Sequence, residues 1–343
     1  MRIRMSHLRP QSTWSGGLAV ILSFAALGSC AKPSPKSALR LDAPTSSATW
    51  PWPNAKEEEL HRGVSRWRSQ ADDGTELELI EFDFARNPKL RFEIYDQDED
   101  DAKPFDNQAD YFPNGVGQVT KHLNGIGRGP VIAAWNGLFF AYDRSQNPPH
   151  GIATHIGPNV LAGKVRHNVG NHRWTFGVKQ VKGRPRFEAL HLPDKTTLAQ
   201  EFDYASVGAQ LLVREGKPLR IQPYPQPNDP PLPQPVPSTP EEAGHIPLVD
   251  HMRTSRTSMG WSKDSGKLWL LVVNEPDHEL GSKLAVKRGE LGTGGWMLAD
   301  LQRFWLSFGA WGAVNSDGGA RRRRARSAGD RRASSLRFRV RPA

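Results

Sequence analysis

The residues best suited to chemistry stand near the C-terminus, in Asn315-Ser316-Asp317-Gly318-Gly319, where the apolar run Ala310 to Val314 ends. A carboxylate at the tip of a buried strand is held rigidly, and the two glycines after it let a ligand come close to the backbone. Such a carboxylate can serve as nucleophile or general base. Asp-Gly is equally a common hairpin turn, so the motif alone fits a structural turn as well as a site. A second polar pair, Asn136-Gly137, closes the apolar run Val131 to Trp135, and two arginines, Arg253 and Arg256, each precede a threonine. The eleven histidines are scattered and there is one cysteine, so no metal site with nitrogen or sulfur ligands is expected, and no cofactor. Calcium stays open, because oxygen ligands leave no such spacing. The acidic run Asp96 to Asp101 has the oxygens to chelate it, but runs of that kind are usually solvated loops.

These residues need elements to hold them. Thr75 to Phe82 and Leu90 to Tyr95 alternate apolar and polar residues with the two-residue period of a sheet, and Asn87-Pro88 turns the chain between them. Val131 to Trp135 reads as an interior strand. Val207 to Val213 is followed by a turn at Arg214 to Lys217, and Thr257 to Trp261 with Lys267 to Asn274 reads as a hairpin. Trp296, Met297, Leu301, Phe304, Trp305 and Phe308 fall at helical spacing, with Gly309 placed to cap the helix. Their aromatic stripe is core packing. Strands outnumber helices, which predicts an α+β fold: a mixed, mostly antiparallel twisted sheet packed with a few amphipathic helices.

The formal net charge of +10 invites a nucleic-acid reading until its position is considered. Residues 321–343 carry ten arginines and one acid, and residues 1–29 carry three arginines and no acid, so residues 30–320 are left with −2. The folding part has no excess of positive charge for a polyanion, and no nucleic-acid partner is expected. Residues 1–30 read as a lipoprotein signal: a basic segment, the apolar run Leu18 to Leu27, then Leu27-Gly28-Ser29-Cys30. About ten apolar residues are too few to span a bilayer, which takes roughly 20 in a helix. Cys30 stands where the acylated residue belongs, which predicts an exported protein anchored by lipid in a bacterial envelope, facing the periplasm. Residues 31–60, rich in Pro, Ser and Ala, read as a disordered tether. Residues 222–240 hold nine prolines and read as an insertion loop across the surface of a domain spanning 61–320.

Five segments in order carry a resemblance. They are Asn136-Gly137-Leu138-Phe139-Phe140, Pro149-His150-Gly151, Leu211 to Gly216, Arg256-Thr257-Ser258-Met259-Gly260 and Asn315-Ser316-Asp317-Gly318-Gly319, with the amphipathic helix before the last. In this the chain resembles the phosphodiester glycosidase family from about Gly63 to Gly319. The resemblance implies hydrolysis of a sugar 1-phosphodiester or a related envelope glycan linkage, with a carbohydrate or sugar phosphate as partner. A phosphate leaving group needs little protonation, so one carboxylate and a cationic clamp can replace the usual pair of carboxylic acids.

On that reading Asp317 is the nucleophile or base and Arg256 holds the phosphate, with Arg253 competing for that role. Asn136 and Asn315 orient substrate oxygens, Gly318 and Gly319 offer backbone donors, and Gly137 and His150 line the substrate. Asp143 is a reserve acid. The alternative class is a lipoprotein that binds a glycan or exopolysaccharide without cleaving it, using the same side chains.

Two departures from the family pattern stand out. Leu138 occupies a position where the family often has a small residue. After Gly319 the family continues into a small or hydroxyl residue and a further strand, whereas this chain turns to RRRRARSAGDRRASSLRFRVRPA, from which that closing strand is expected to be missing. A run of Arg, Ala and Gly is what a shifted reading frame in GC-rich DNA would give. A polybasic tail attracted to anionic lipid or polysaccharide is the other reading.

Overall fold

The computed structural model describes residues 55–71, 74–96, 110–127, 130–137, 140–143, 152–155, 157–166, 174–191, 193–219, 252–275, 291–292, 295–316 and 336–342. Along the chain, β1 (Lys56–His61), β2 (Val64–Gln70), β3 (Glu76–Asp83) and β4 (Leu90–Asp96) come first. The short β5 (Asp110–Tyr111) leads to helix α1 (Val116–Gly125), β6 (Ala133–Asn136) and β7 (Phe140–Asp143). Next are β8 (Ile152–His155), β9 (Asn159–Leu161) and β10 (Lys164–Val165). The hairpin β11 (Trp174–Val181) and β12 (Arg184–His191) precedes α2 (Lys195–Glu201). Then follow β13 (Tyr204–Arg214), β14 (Lys217–Pro218), β15 (Met252–Arg253), β16 (Arg256–Trp261) and β17 (Lys267–Asn274). The last elements are β18 (Leu291–Gly292), α3 (Leu298–Phe308), β19 (Gly312–Ser316) and β20 (Leu336–Pro342).

The main sheet runs β1-β2-β3-β17-β16-β19-β13-β11-β12, antiparallel at every step. Both of its faces are covered. Leu77, Leu79, Leu271, Val273 and Ala313 pack against Leu301, Phe304, Trp305 and Phe308 of α3. On the other face Phe82, Phe176, Met259 and Val314 meet Phe92, Trp135 and Val340, which come from a second sheet of order β4-β20-β6. A third small sheet pairs β5, β8 and β7. The fold is α+β and mostly antiparallel, as the alternation implied.

The helix at 298–308 ends where Gly309 takes the left-handed conformation at φ 80°. Its register on the sheet is set by a close approach. A Cβ on Gly260 would stand 2.7 Å from Trp305 Cε3, and Trp305 is fully buried. Gly260→Ala therefore forces α3 and β16 apart. The expected cost is about 1–3 kcal/mol, seen as a drop in Tm of several degrees in thermal denaturation at unchanged activity per folded molecule.

Asn87-Pro88 turns the chain, as the sequence indicates, and β3 and β4 do not pair with each other: β3 lies between β2 and β17, whereas β4 pairs with β20. Asn87 is buried at this corner, its Nδ2 donating to the Arg62 carbonyl at 2.9 Å and its Oδ1 accepting from the Lys89 amide at 3.1 Å. The turn thus moves the chain from one layer to the other. One sequence expectation needs correction, in the tail, where the expected loss of a closing strand is overturned by β20. Leu336, Phe338 and Val340 alternate with arginines, a strand period that the charge count conceals. Seven residues of β20 pair with β4 and four with β6, and Val340 is fully buried. The proline-rich stretch 222–240 lies outside the described residues.

Candidate active site

β19 delivers Asn315 and Ser316 between two neighbours. Asn315 stands opposite Ser258 of β16 and opposite Gln210 of β13, while Ser316 stands opposite Thr257. Asn315, Ser258 and Gln210 share the face that α3 covers: the Ser258 hydroxyl accepts from Trp305 Nε1 at 2.7 Å and donates to the Val314 carbonyl at 2.8 Å. Arg256, two residues before Ser258, lies on the same face and donates from Nε to the carbonyl of Trp296, just ahead of α3, at 3.0 Å. It is 4% exposed. Asn315 is 1% exposed and donates from Nδ2 to Gln210 Oε1 at 2.8 Å.

That amide pair is incomplete. Among the described residues Gln210 Nε2 has no acceptor and Asn315 Oδ1 no donor, although both atoms are buried. A buried polar atom without a partner costs about 1–3 kcal/mol, so each calls for an explanation. A donor and an acceptor held side by side suit a ligand that carries hydroxyls.

A second polar cluster lies in the other layer. β4 and β6 run parallel to each other on either side of β20, and Asp96 ends the first as Asn136 ends the second. Asp96 is 1% exposed, which corrects the expectation of a solvated loop for this residue: it is the last residue of a buried strand. Its Oδ2 lies 3.1 Å from His155 Nε2 and 4.0 Å from Arg166 Nη1. The Tyr111 ring packs on the imidazole with centroids 5.0 Å apart. Arg166 also donates its backbone amide to the Asn159 carbonyl at 3.0 Å.

Both clusters border β13. Asn159 of β9 stands opposite Ser206, and Asn315 opposite Gln210, so β9 and β19 lie end to end beside one strand. Four residues separate the two registers, roughly 13 Å of strand.

The structure brings Arg256 and Asn315 together on adjacent strands. It sets Asn136, followed by the buried Gly137, on the second sheet, and no described contact joins Asn136 to that pair. Arg253 has a structural partner: its Nη1 donates to Asp300 Oδ2 at 2.8 Å, and the same oxygen accepts the Met297 amide at the start of α3 at 3.0 Å. Cys30, Leu138, His150, Asp317, Gly318 and Gly319 lie outside the described residues, as does the side chain of Asp143. Among the described residues no three His, Cys, Asp or Glu side chains gather into a metal site. Sequence reasoning missed Gln210, Asn159 and the Asp96–His155 pair. Gln210 had a signal, an amide within the apolar VGAQLLV run. The others meet only through tertiary contacts.

Fold and described residues together define a mixed α+β domain with a buried arginine and a buried amide pair on adjacent strands. The chain belongs to the phosphodiester glycosidase family, whose model matches residues 129–335. Three solved structures are similar to it. One is the catalytic domain of zebrafish N-acetylglucosamine-1-phosphodiester alpha-N-acetylglucosaminidase, auto-inhibited by its pro-peptide, with 17% identity over 87% of this chain and 86% of that one and a TM-score of 0.46. Another is a hypothetical protein from Synechocystis, with 12% identity over 84% and 64% and a TM-score of 0.46. The third is a protein described as exported, from Burkholderia pseudomallei, with 13% identity over 78% and 74% and a TM-score of 0.44. Comparison with curated proteins gives no match.

Proposed function

We propose that the protein is an exported glycoside hydrolase, anchored by lipid at Cys30, that cleaves a sugar 1-phosphodiester or a related linkage of the cell envelope. The observation that carries this reading is the pair Arg256 and Asn315 on one face, at the end of the strand whose next residue in the chain is Asp317. Asp317 meets the positive charge that develops at the anomeric carbon, as nucleophile or base. Arg256 binds the phosphate, whose departure as a monoester leaves little work for a general acid. Asn315 and Asn136 hold substrate oxygens, Gly318 and Gly319 supply backbone amides, and Gly137 and His150 complete the wall.

The test is hydrolysis of methyl phosphodiesters of hexose 1-phosphates by the full chain, followed as release of free sugar. Turnover supports the hydrolase. Binding of the diesters without turnover would place the protein among glycan-binding lipoproteins. Arg256→Lys keeps a charge but loses the planar fork, and kcat/KM is expected to fall by about 10²–10³, mostly through kcat. Cys30→Ser is expected to move the protein from the membrane fraction to the soluble fraction of the producing bacterium, measured by fractionation and by loss of the acyl mass.

Among the described residues no helix is long and apolar enough to cross a membrane.

A further inference from the structure

Asn159 carries a donor that the fold does not use. It is 1% exposed, and among the described residues its Nδ2 has no acceptor. Its backbone carbonyl accepts from the Arg166 backbone amide, and its neighbour across the strand pair is Ser206 of β13, itself 1% exposed. Arg166 stands opposite Asn159 across the β9–β10 turn, and its Nη1 lies 4.0 Å from Asp96 Oδ2. Behind it His155 Nε2 lies 3.1 Å from the same oxygen. A primary amide shut away from water with nothing to accept its protons is rare in folded proteins and points to a ligand or an internal water.

The chemistry of the cluster selects among ligands. It offers a neutral donor in Asn159 and an acceptor in Asp96, with the carboxylate charge offset by Arg166. A phosphate oxygen only accepts and would be repelled by Asp96. A sugar hydroxyl accepts and donates at once, and so matches both groups. The cluster is also placed for such a role, because Asn159 and Asn315 lie along one edge of β13, with the family's phosphate-binding candidate, Arg256, one strand beyond Asn315.

We propose that Asn159, with Asp96 alongside, forms a subsite that binds a ring hydroxyl of the substrate sugar and thereby selects the glycone. The identity of the ligand as a sugar rests on the phosphodiester glycosidase reading above. Asn159 is the group that touches substrate, and Asp96 is assigned to the same hydroxyl. Arg166 and His155 act through Asp96, as positioning residues.

The experiment compares methyl phosphodiesters of hexose 1-phosphates with their singly deoxygenated analogues, using the full chain and Asn159→Ala. In the wild type, removing one particular hydroxyl should lower kcat/KM about tenfold. In Asn159→Ala that ratio should fall to near one, with KM for the complete sugar raised about tenfold and kcat changed less than threefold. A purely structural asparagine, or one holding an internal water, would leave the ratio unchanged and overturn the proposal. Asn159→Asp, nearly isosteric, serves where the alanine variant does not fold.

Saturation-transfer NMR of free hexoses with both proteins gives a readout independent of turnover. Hexose binding that Asn159→Ala abolishes, in a protein that hydrolyses no diester, keeps this subsite and sinks the hydrolase. Diester turnover with ratio and binding untouched by the variant does the reverse. A wild type that binds no hexose and cleaves no diester sinks both.

Discussion

Asp317→Asn is expected to lower kcat for a hexosyl methyl phosphodiester by about four orders of magnitude while KM changes less than threefold. Substitution of a group that acts only in the transition state reduces kcat without weakening ground-state binding, and losses of about 10⁴ are usual when a carboxylate of the catalytic set is neutralised. The amide has nearly the shape of the carboxylate, so the strand end should keep its conformation and Tm should stay within a few degrees. What disappears is the negative charge, and with it the capacity to attack the anomeric carbon or to accept a proton. Arg256, the proposed phosphate-binding residue, is buried on a strand that pairs with β19 and is unchanged in the variant. Phosphate-bearing ligands should consequently bind as well or slightly better, which an inorganic phosphate titration checks. Retention of more than a tenth of wild-type kcat would remove Asp317 from the mechanism.

Removing residues 336–343 is expected to abolish cooperative folding, or to lower stability by about 5 kcal/mol or more, which is comparable with the whole stability of a typical domain. β20 is the middle strand of its sheet, so its loss strips hydrogen-bond partners from both β4 and β6 at once. Val340 leaves a hole among Phe92, Trp135 and the main-sheet side chains packed in the same core. A far-ultraviolet circular dichroism melt and amide hydrogen exchange of β4 report the effect. A truncated chain that melts within two degrees of the full one would show that the second sheet stands without its C-terminal strand. The same experiment bears on the origin of the arginine-rich tail, because a stretch arising from a shifted frame has no reason to supply an alternating strand that the core requires.

Much of the main sheet was legible because its period was intact. TELELIEF, the hairpin around residues 257–274 and the aromatic stripe of α3 all appear where spacing alone put them. The hairpin of β11 and β12 was not anticipated, although its turn at Lys182-Gly183 carries positive φ at both residues, as a tight two-residue turn demands. α1 and α2 are short, and their buried faces became meaningful only against Tyr95 and Val160, which distant strands supply. β20 escaped because arginine dominates its composition, and the alternating apolar positions were read as incidental.

For the site the division is sharper. The sequence by itself determined which chemical groups are present: an aspartate beyond a buried strand, arginine ahead of another, asparagines at strand ends, and an α+β frame to carry them. Those follow from local rules, the two-residue period and the chemistry of each side chain, which do not depend on what a segment packs against. Only the tertiary structure decided that Gln210 would join Asn315, that Arg253 would be taken up by Asp300 while Arg256 lay buried beside β19, and that Asp96 would pair with His155 instead of meeting water. Strand order and register are set by closing long loops around a shared core, and residues more than a hundred positions apart become neighbours only after that cost has been met.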